Sequence, residues 1–158
     1  MSALHRVMNA SFLAASILTA TVVIATPTPV EAQAVAAGRW DVTSTVTELD
    51  VPGVPGFLVR MMRGKSKAEH KRLVAGQGIE ALIAPDPKAQ CRVENQRIAD
   101  GRYAQSLSCP QKRGEPMKIA RSGTYSATGF VGIATVAGTT PKGAMRIVLA
   151  QRAARVGN

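Results

Sequence analysis

Two cysteines, Cys91 and Cys109, bracket a nearly symmetrical stretch of chain, and this stretch constrains the fold more than any other feature. Cys91 to Ile98 and Arg102 to Cys109 both read as strands, and Ala99-Asp100-Gly101 between them has the length and the glycine of a three-residue hairpin loop. With Ile98 facing Arg102, the register places Arg97 opposite Tyr103, Val93 opposite Leu107 and Cys91 opposite Cys109. Directly opposed cysteines lie within reach of a disulfide. Their spacing is not C-x-x-C and no His or Cys cluster accompanies them, so a redox pair or a metal site is the weaker alternative.

A disulfide needs an oxidising compartment, and the N-terminus offers a route to one. His5 and Arg6 precede an uncharged, largely apolar run from Ala10 to Thr26, which ends at Pro27 and Pro29. Ala32-Gln33-Ala34 then has the small-x-small pattern of a signal-peptidase site, so residues 1–34 are expected to be a cleaved secretion signal and 35–158 a single small β domain. A retained membrane anchor is the competing reading, because the run approaches the shortest length that spans a bilayer. No cysteine lies between residues 27 and 40, so the leader does not end in a lipid-modified cysteine. The expected location is the periplasm, as a soluble protein.

Arg6 and Glu31 cancel, so residues 35–158 keep the whole formal charge of +10. Such a surface attracts anions of any kind, and export favours envelope lipid or lipopolysaccharide over nucleic acid as the partner. With aromatics at only 4%, the core must be built from Val, Ile, Leu, Met and Ala. Trp40, Phe57, Tyr103, Tyr125 and Phe130 are its few large candidates.

Trp40 to Leu49 alternates Trp40, Val42, Ser44 and Val46 with polar residues and reads as a half-buried strand. The Val51 to Gly56 segment, VPGVPG, interrupts regular structure. Ser66 and Glu69 have capping-box spacing, which predicts a helix ending near Gly76; a second short helix is expected over Ile79 to Ala84, stopped by Pro85-Asp86-Pro87. Beyond the Cys91–Cys109 hairpin, Met117 to Tyr125, Phe130 to Val136 and Ala144 to Gln151 continue as strands, the last two joined by an Ala137 to Gly143 loop. The expected fold is mainly β. About six antiparallel strands run up and down in a sheet curled into a sandwich or incomplete barrel, with a short helical insertion.

In their order and spacing four segments resemble the family of small exported bacterial proteins catalogued as domain of unknown function 3617. They are Gly38 to Thr43 (GRWDVT), Val51 to Gly56, Pro85 to Cys91 (PDPKAQC) before the hairpin, and Arg152 to Gly157 (RAARVG). Members of that family often carry two further cysteines, one before the helical insertion and one at the C-terminus. Here the region around Glu69 to Lys71 has none and the chain ends in Asn158. Their joint absence implies that those two positions normally bond to each other, leaving Cys91 and Cys109 as a self-contained pair. The resemblance implies a fold and a compartment but no activity.

No constellation of residues points to catalysis. His70 is the only histidine after the leader, and its neighbours Glu69, Lys71 and Arg72 make a solvated run, so it reads as a surface residue. Acidic residues are scattered singly, without the pairing that glycoside hydrolysis uses. Gly138 and Gly143 flank TTPK, yet a strand follows, whereas a phosphate loop opens onto a helix. No cofactor, metal site or catalytic residue is therefore expected. The one dense charge cluster, Arg60, Arg63, Lys65, Lys67, Lys71 and Arg72 with Met61 and Met62 inside it, is a candidate contact for an anionic surface. The expected function is a non-catalytic periplasmic domain that binds an envelope lipid or another anionic or apolar ligand. The alternatives are a hydrolase with an unidentified Ser or Thr nucleophile, and a stress-related structural protein of the envelope without a ligand.

Overall fold

The computed structural model describes residues 34–158. The expected leader lies outside the described residues, apart from Ala34. Seven strands form one antiparallel sheet: β1 (Gly38–Asp50), β2 (Ser66–Leu73), β3 (Arg92–Ala99), β4 (Arg102–Cys109), β5 (Met117–Tyr125), β6 (Gly129–Thr140) and β7 (Gly143–Gly157). Their order is β2-β1-β7-β6-β5-β4-β3, so β3 to β7 run as a meander and the last strand returns to lie beside the first. Strands β2 and β3 are the two edges of a curled sheet that does not close. The chain between those edges carries a short helix α2 (Ile79–Leu82) and a 3-10 turn (Pro87–Ala89). This segment lies across the concave face, where Ile79, Leu82 and Ile83 are buried with Trp40, Leu73, Tyr103, Tyr125 and Phe130.

The mainly β architecture with a short helical insertion is as expected, but one strand was hidden. Ser66 to Leu73, expected to be helical, is β2. It pairs with β1 along its whole length, from Thr45 opposite Ser66 to Gly38 opposite Leu73. The capping-box residues find other partners: Ser66 Oγ bonds Thr45 Oγ1 at 2.7 Å, and Glu69 pairs with Lys67 at 2.8 Å. Local capping contributes only about 1 kcal/mol, and a full backbone ladder on the open edge of β1 outweighs it. A helix does form upstream, as α1 (Gly56–Met62), directly after the VPGVPG break. The region Ala137 to Gly143, expected to be a loop, is strand except for the turn at Pro141-Lys142, and β7 runs six residues past Gln151 to Gly157.

The β3–β4 hairpin corrects the expected register in detail. Asp100 and Gly101 form a two-residue turn with φ of 51° and 69°, the left-handed pair that a tight hairpin requires, so Ala99 faces Arg102 and Ile98 faces Tyr103. Arg97 therefore lies opposite Ala104, not Tyr103. A bulge between Val93 and Asn95 then absorbs one residue and restores Val93 opposite Leu107. The cysteines meet as expected because the bulge cancels the shorter turn: Cys91 and Cys109 are bonded, with Cα atoms 4.1 Å apart.

Trp40 is fully buried and donates its Nε1 hydrogen to Ala36 O at 3.1 Å. Beside it the Tyr103 and Phe130 rings meet edge to face, with centroids 5.8 Å apart. Gly123 and Gly132 on the neighbouring strands make room for the Tyr103 ring, since a Cβ on Gly132 would fall 2.1 Å from Tyr103 Oη and 2.5 Å from Ser122 O. Gly132→Ala is accordingly expected to cost about 2 kcal/mol through overpacking, read as a lowered urea midpoint with an unchanged m-value. Phe57, a candidate core residue from the sequence, instead lies exposed on α1.

Candidate functional site

Alternation along each strand sends every second side chain to the concave face, and the register assembles them into rungs. One rung runs Glu69, Val42, Ala153, Phe130, Tyr125 from β2 to β5. The next runs Lys67, Ser44, Gln151, Gly132, Gly123, Tyr103, Ile98, and a third places Leu149, Ala134, Arg121, Gln105 and Gln96 in line. Between these rungs and the α2 segment lies a cavity of about 460 Å³. Its apolar lining includes Val42, Val46, Leu82, Ile83, Ile119, Phe130 and Leu149. Its charged lining is Lys65, Lys67, Lys71 and Arg121 against Glu69 and Asp86. Volumes of a few hundred Å³ with mixed linings are typical of small-molecule sites.

Two of these cations are held on the α2 segment. Lys71 donates to Leu82 O at 2.7 Å and to Ala84 O at 3.2 Å, while Arg121, reaching from β5, donates through Nη1 to Ile83 O at 2.7 Å. They satisfy the carbonyls that the end of a short helix leaves free, and so fasten α2 to the strands on either side. Neither forms an ion pair among the described residues. Burial pushes the Lys71 ammonium and the Arg121 guanidinium below their ordinary pKa values, and pushes the Tyr103 hydroxyl above its own. At the rim, the hydrogen bond from Lys67 lowers the Glu69 carboxyl, so the two charges there largely cancel.

Four enclosed polar atoms lack a hydrogen-bond partner among the described residues: Tyr103 Oη, Gln105 Oε1, Arg121 Nε and Gln151 Oε1. All belong to the two adjacent rungs of the concave face. Buried polar groups are ordinarily bonded, and of these four residues Arg121 and Gln151 line the cavity whereas Tyr103 and Gln105 do not. Two of the four offer a proton (Arg121 Nε and Tyr103 Oη), while the amide oxygens only accept. Neither Arg121 nor Tyr103 was singled out as a site residue from sequence. One signal was available: Ile119, Arg121, Gly123 and Tyr125 share a face of β5, so the arginine sits on an otherwise uncharged, inward-facing stripe.

The basic cluster read from sequence divides in space. Lys71 points from β2 into the cavity, Lys67 lies at its rim and Lys65 at its mouth. Arg60 and Arg63 lie on and just after α1, and Arg72 is exposed on the opposite face of β2. His70 also faces outward, where its Nδ1 lies 2.6 Å from Asp41 Oδ1. The Cys91–Cys109 disulfide borders the cavity through Cys91. No group of three or more His, Cys, Asp or Glu side chains that would hold a metal occurs among the described residues. No helix among them is long and apolar enough to cross a membrane.

Fold and site together define an open antiparallel β cup with a helical flap, a cationic inner wall and a disulfide at one edge. Residues 35–158 match a family described as protein of unknown function (DUF3617), and the chain belongs to that family. No curated protein and no solved structure matches the chain.

Proposed function

We propose that the protein is an exported, non-catalytic binding domain of the periplasm whose cup holds a small amphipathic molecule with an apolar body and an anionic end. The observation that carries this is the pair Lys71 and Arg121, neither of them in an ion pair among the described residues, on the wall of a partly apolar cavity of about 460 Å³. A carboxylate entering the cup would accept from the Arg121 guanidinium and from the remaining proton of Lys71. The apolar tail would lie along Val46, Ile119 and Leu149. The apolar leader and the disulfide support export.

Calorimetric titration with decanoate and decanol separates the two halves of this proposal. Decanoate is expected to bind more tightly than decanol, and Arg121→Leu, which also loses the bond to Ile83 O, to weaken decanoate ten- to a hundredfold more than it weakens decanol, on the scale of one charge-assisted hydrogen bond. Arg121→Lys, which keeps the charge without the fork, should retain part of the affinity. Decanoate affinity should also fall as pH rises through the lowered Lys71 pKa, below 10.5, because only the protonated amine attracts the anion. Equal binding of acid and alcohol, unaffected by Arg121→Leu, would refute the anionic site.

A further inference from the structure

Helix α1 displays side chains that a surface element ordinarily hides. Phe57, Met61 and Met62 are 60%, 55% and 46% exposed, and no residue of the helix is buried. Adjacent large apolar side chains in solvent mark an interaction surface. The charge around them is mainly of one sign: from Val51 to Ala68 the chain has Arg60, Arg63, Lys65 and Lys67 and no acidic residue, and only Lys67 is paired, with Glu69. The β6–β7 turn adds a further cation at the same end, because the Lys142 side chain lies over Gly53. The neighbouring carboxylates of β1 are Glu48, which is paired with Arg146, and Asp50, which faces Arg146 in the strand register.

We propose that α1 docks the protein on the surface of an anionic phospholipid bilayer. Phe57, Met61 and Met62 enter the headgroup region, and Arg60, Arg63, Lys65 and Lys142 lie against lipid phosphates. The complementarity of the Arg60, Arg63, Lys65 and Lys142 cations with an anionic surface selects this occupant, and flexible methionines suit an irregular lipid boundary. Met62 and Lys65 also line the cavity, so docking through α1 brings the mouth of the cup to the lipid surface. The docking surface goes beyond the proposed cavity ligand and does not require it.

The test is co-sedimentation of the protein, in the form the cell accumulates, with vesicles of phosphatidylcholine alone or mixed with phosphatidylglycerol. Retention is expected on the mixed vesicles only, weakening as salt is raised. Phe57→Ser with Met61→Ser, and separately Arg60→Gln with Arg63→Gln, should each lower partitioning about tenfold. Both changes fall on exposed side chains, so thermal midpoints should hold. If a double variant is destabilised, Met61→Gln or Arg63→Gln alone serves with a smaller expected loss. A retained leader would bind all variants alike, so the ratio of wild type to variant reports α1 itself. Equal retention of wild type and both variants overturns the proposal, as does equal retention on neutral and anionic vesicles. Two other results overturn it by naming another occupant. A concentration-dependent dimer lost in Phe57→Ser with Met61→Ser, without vesicle retention, points to a second copy. Retention that needs added envelope protein points to a protein partner.

Discussion

Trp40→Ala should bring this domain close to unfolding, at a cost of about 3–5 kcal/mol, out of the roughly 5–15 kcal/mol that single domains possess. Trp40 is completely buried, and it belongs to a core that includes the α2 residues Ile79 and Leu82 together with Tyr103 and Phe130. With so few other large side chains in the chain, no neighbour can expand into the space its loss would leave. The indole also bonds Ala36 O, which ties the segment before β1 to the core. Urea denaturation followed by far-ultraviolet circular dichroism measures the effect, since the variant has lost the only tryptophan. Trp40→Phe, which keeps most of the volume, should cost markedly less. A loss below about 1 kcal/mol in Trp40→Ala would mean that α2 does not depend on this residue for its seat.

Cutting the Cys91–Cys109 bridge should destabilise the domain by about 3 kcal/mol on the chain-entropy account of a closed loop of this length, or roughly 10 °C in melting temperature. The separation of 18 residues sets that figure. The effect should be concentrated in β3. Apart from half-buried Ile98, this edge strand is exposed along its length, so backbone pairing with β4 and the disulfide are what hold it. Hydrogen exchange in Cys91→Ser with Cys109→Ser should therefore rise first in β3 and in the Pro87–Ala89 turn that leads into it. Because Cys91 borders the cavity, decanoate affinity should fall in the same variant even where the rest of the sheet stays protected. Equal melting temperatures with and without reductant would show that the ladder alone suffices.

These two expectations differ in how far the sequence discloses them. The hairpin could be read from its own residues because turn chemistry and cysteine placement act over short distances. The Asp100-Gly101 turn and the bulge between Val93 and Asn95 are errors of opposite sign against that reading, and the pairing of the cysteines survives both. Strand β2 could not be read the same way. Ser66 and Glu69 carry a local helix-start signal, and what defeats it is the unfilled edge of β1, more than twenty residues earlier in the chain. The cationic inner wall was half visible. Lys67 and Lys71 stand in the sequence as part of a run of charge, but their alternation with His70 and Arg72 across the sheet appears only once the segment is known to be a strand.

The sequence alone determined the mainly β character, the VPGVPG break, the α2 segment and the covalent partner of each cysteine, because each rests on residues near one another in the chain or on simple alternation. Tertiary structure alone decided that Arg121 of β5 and Lys71 of β2 reach the end of the same short helix, and that the Tyr103 ring packs over two glycines of the neighbouring strands. It also left Phe57 outside the core. Those outcomes depend on which strands become neighbours and which way the sheet curls. Pairing between distant segments is set by the burial of the whole concave face, and no local stretch of sequence encodes it.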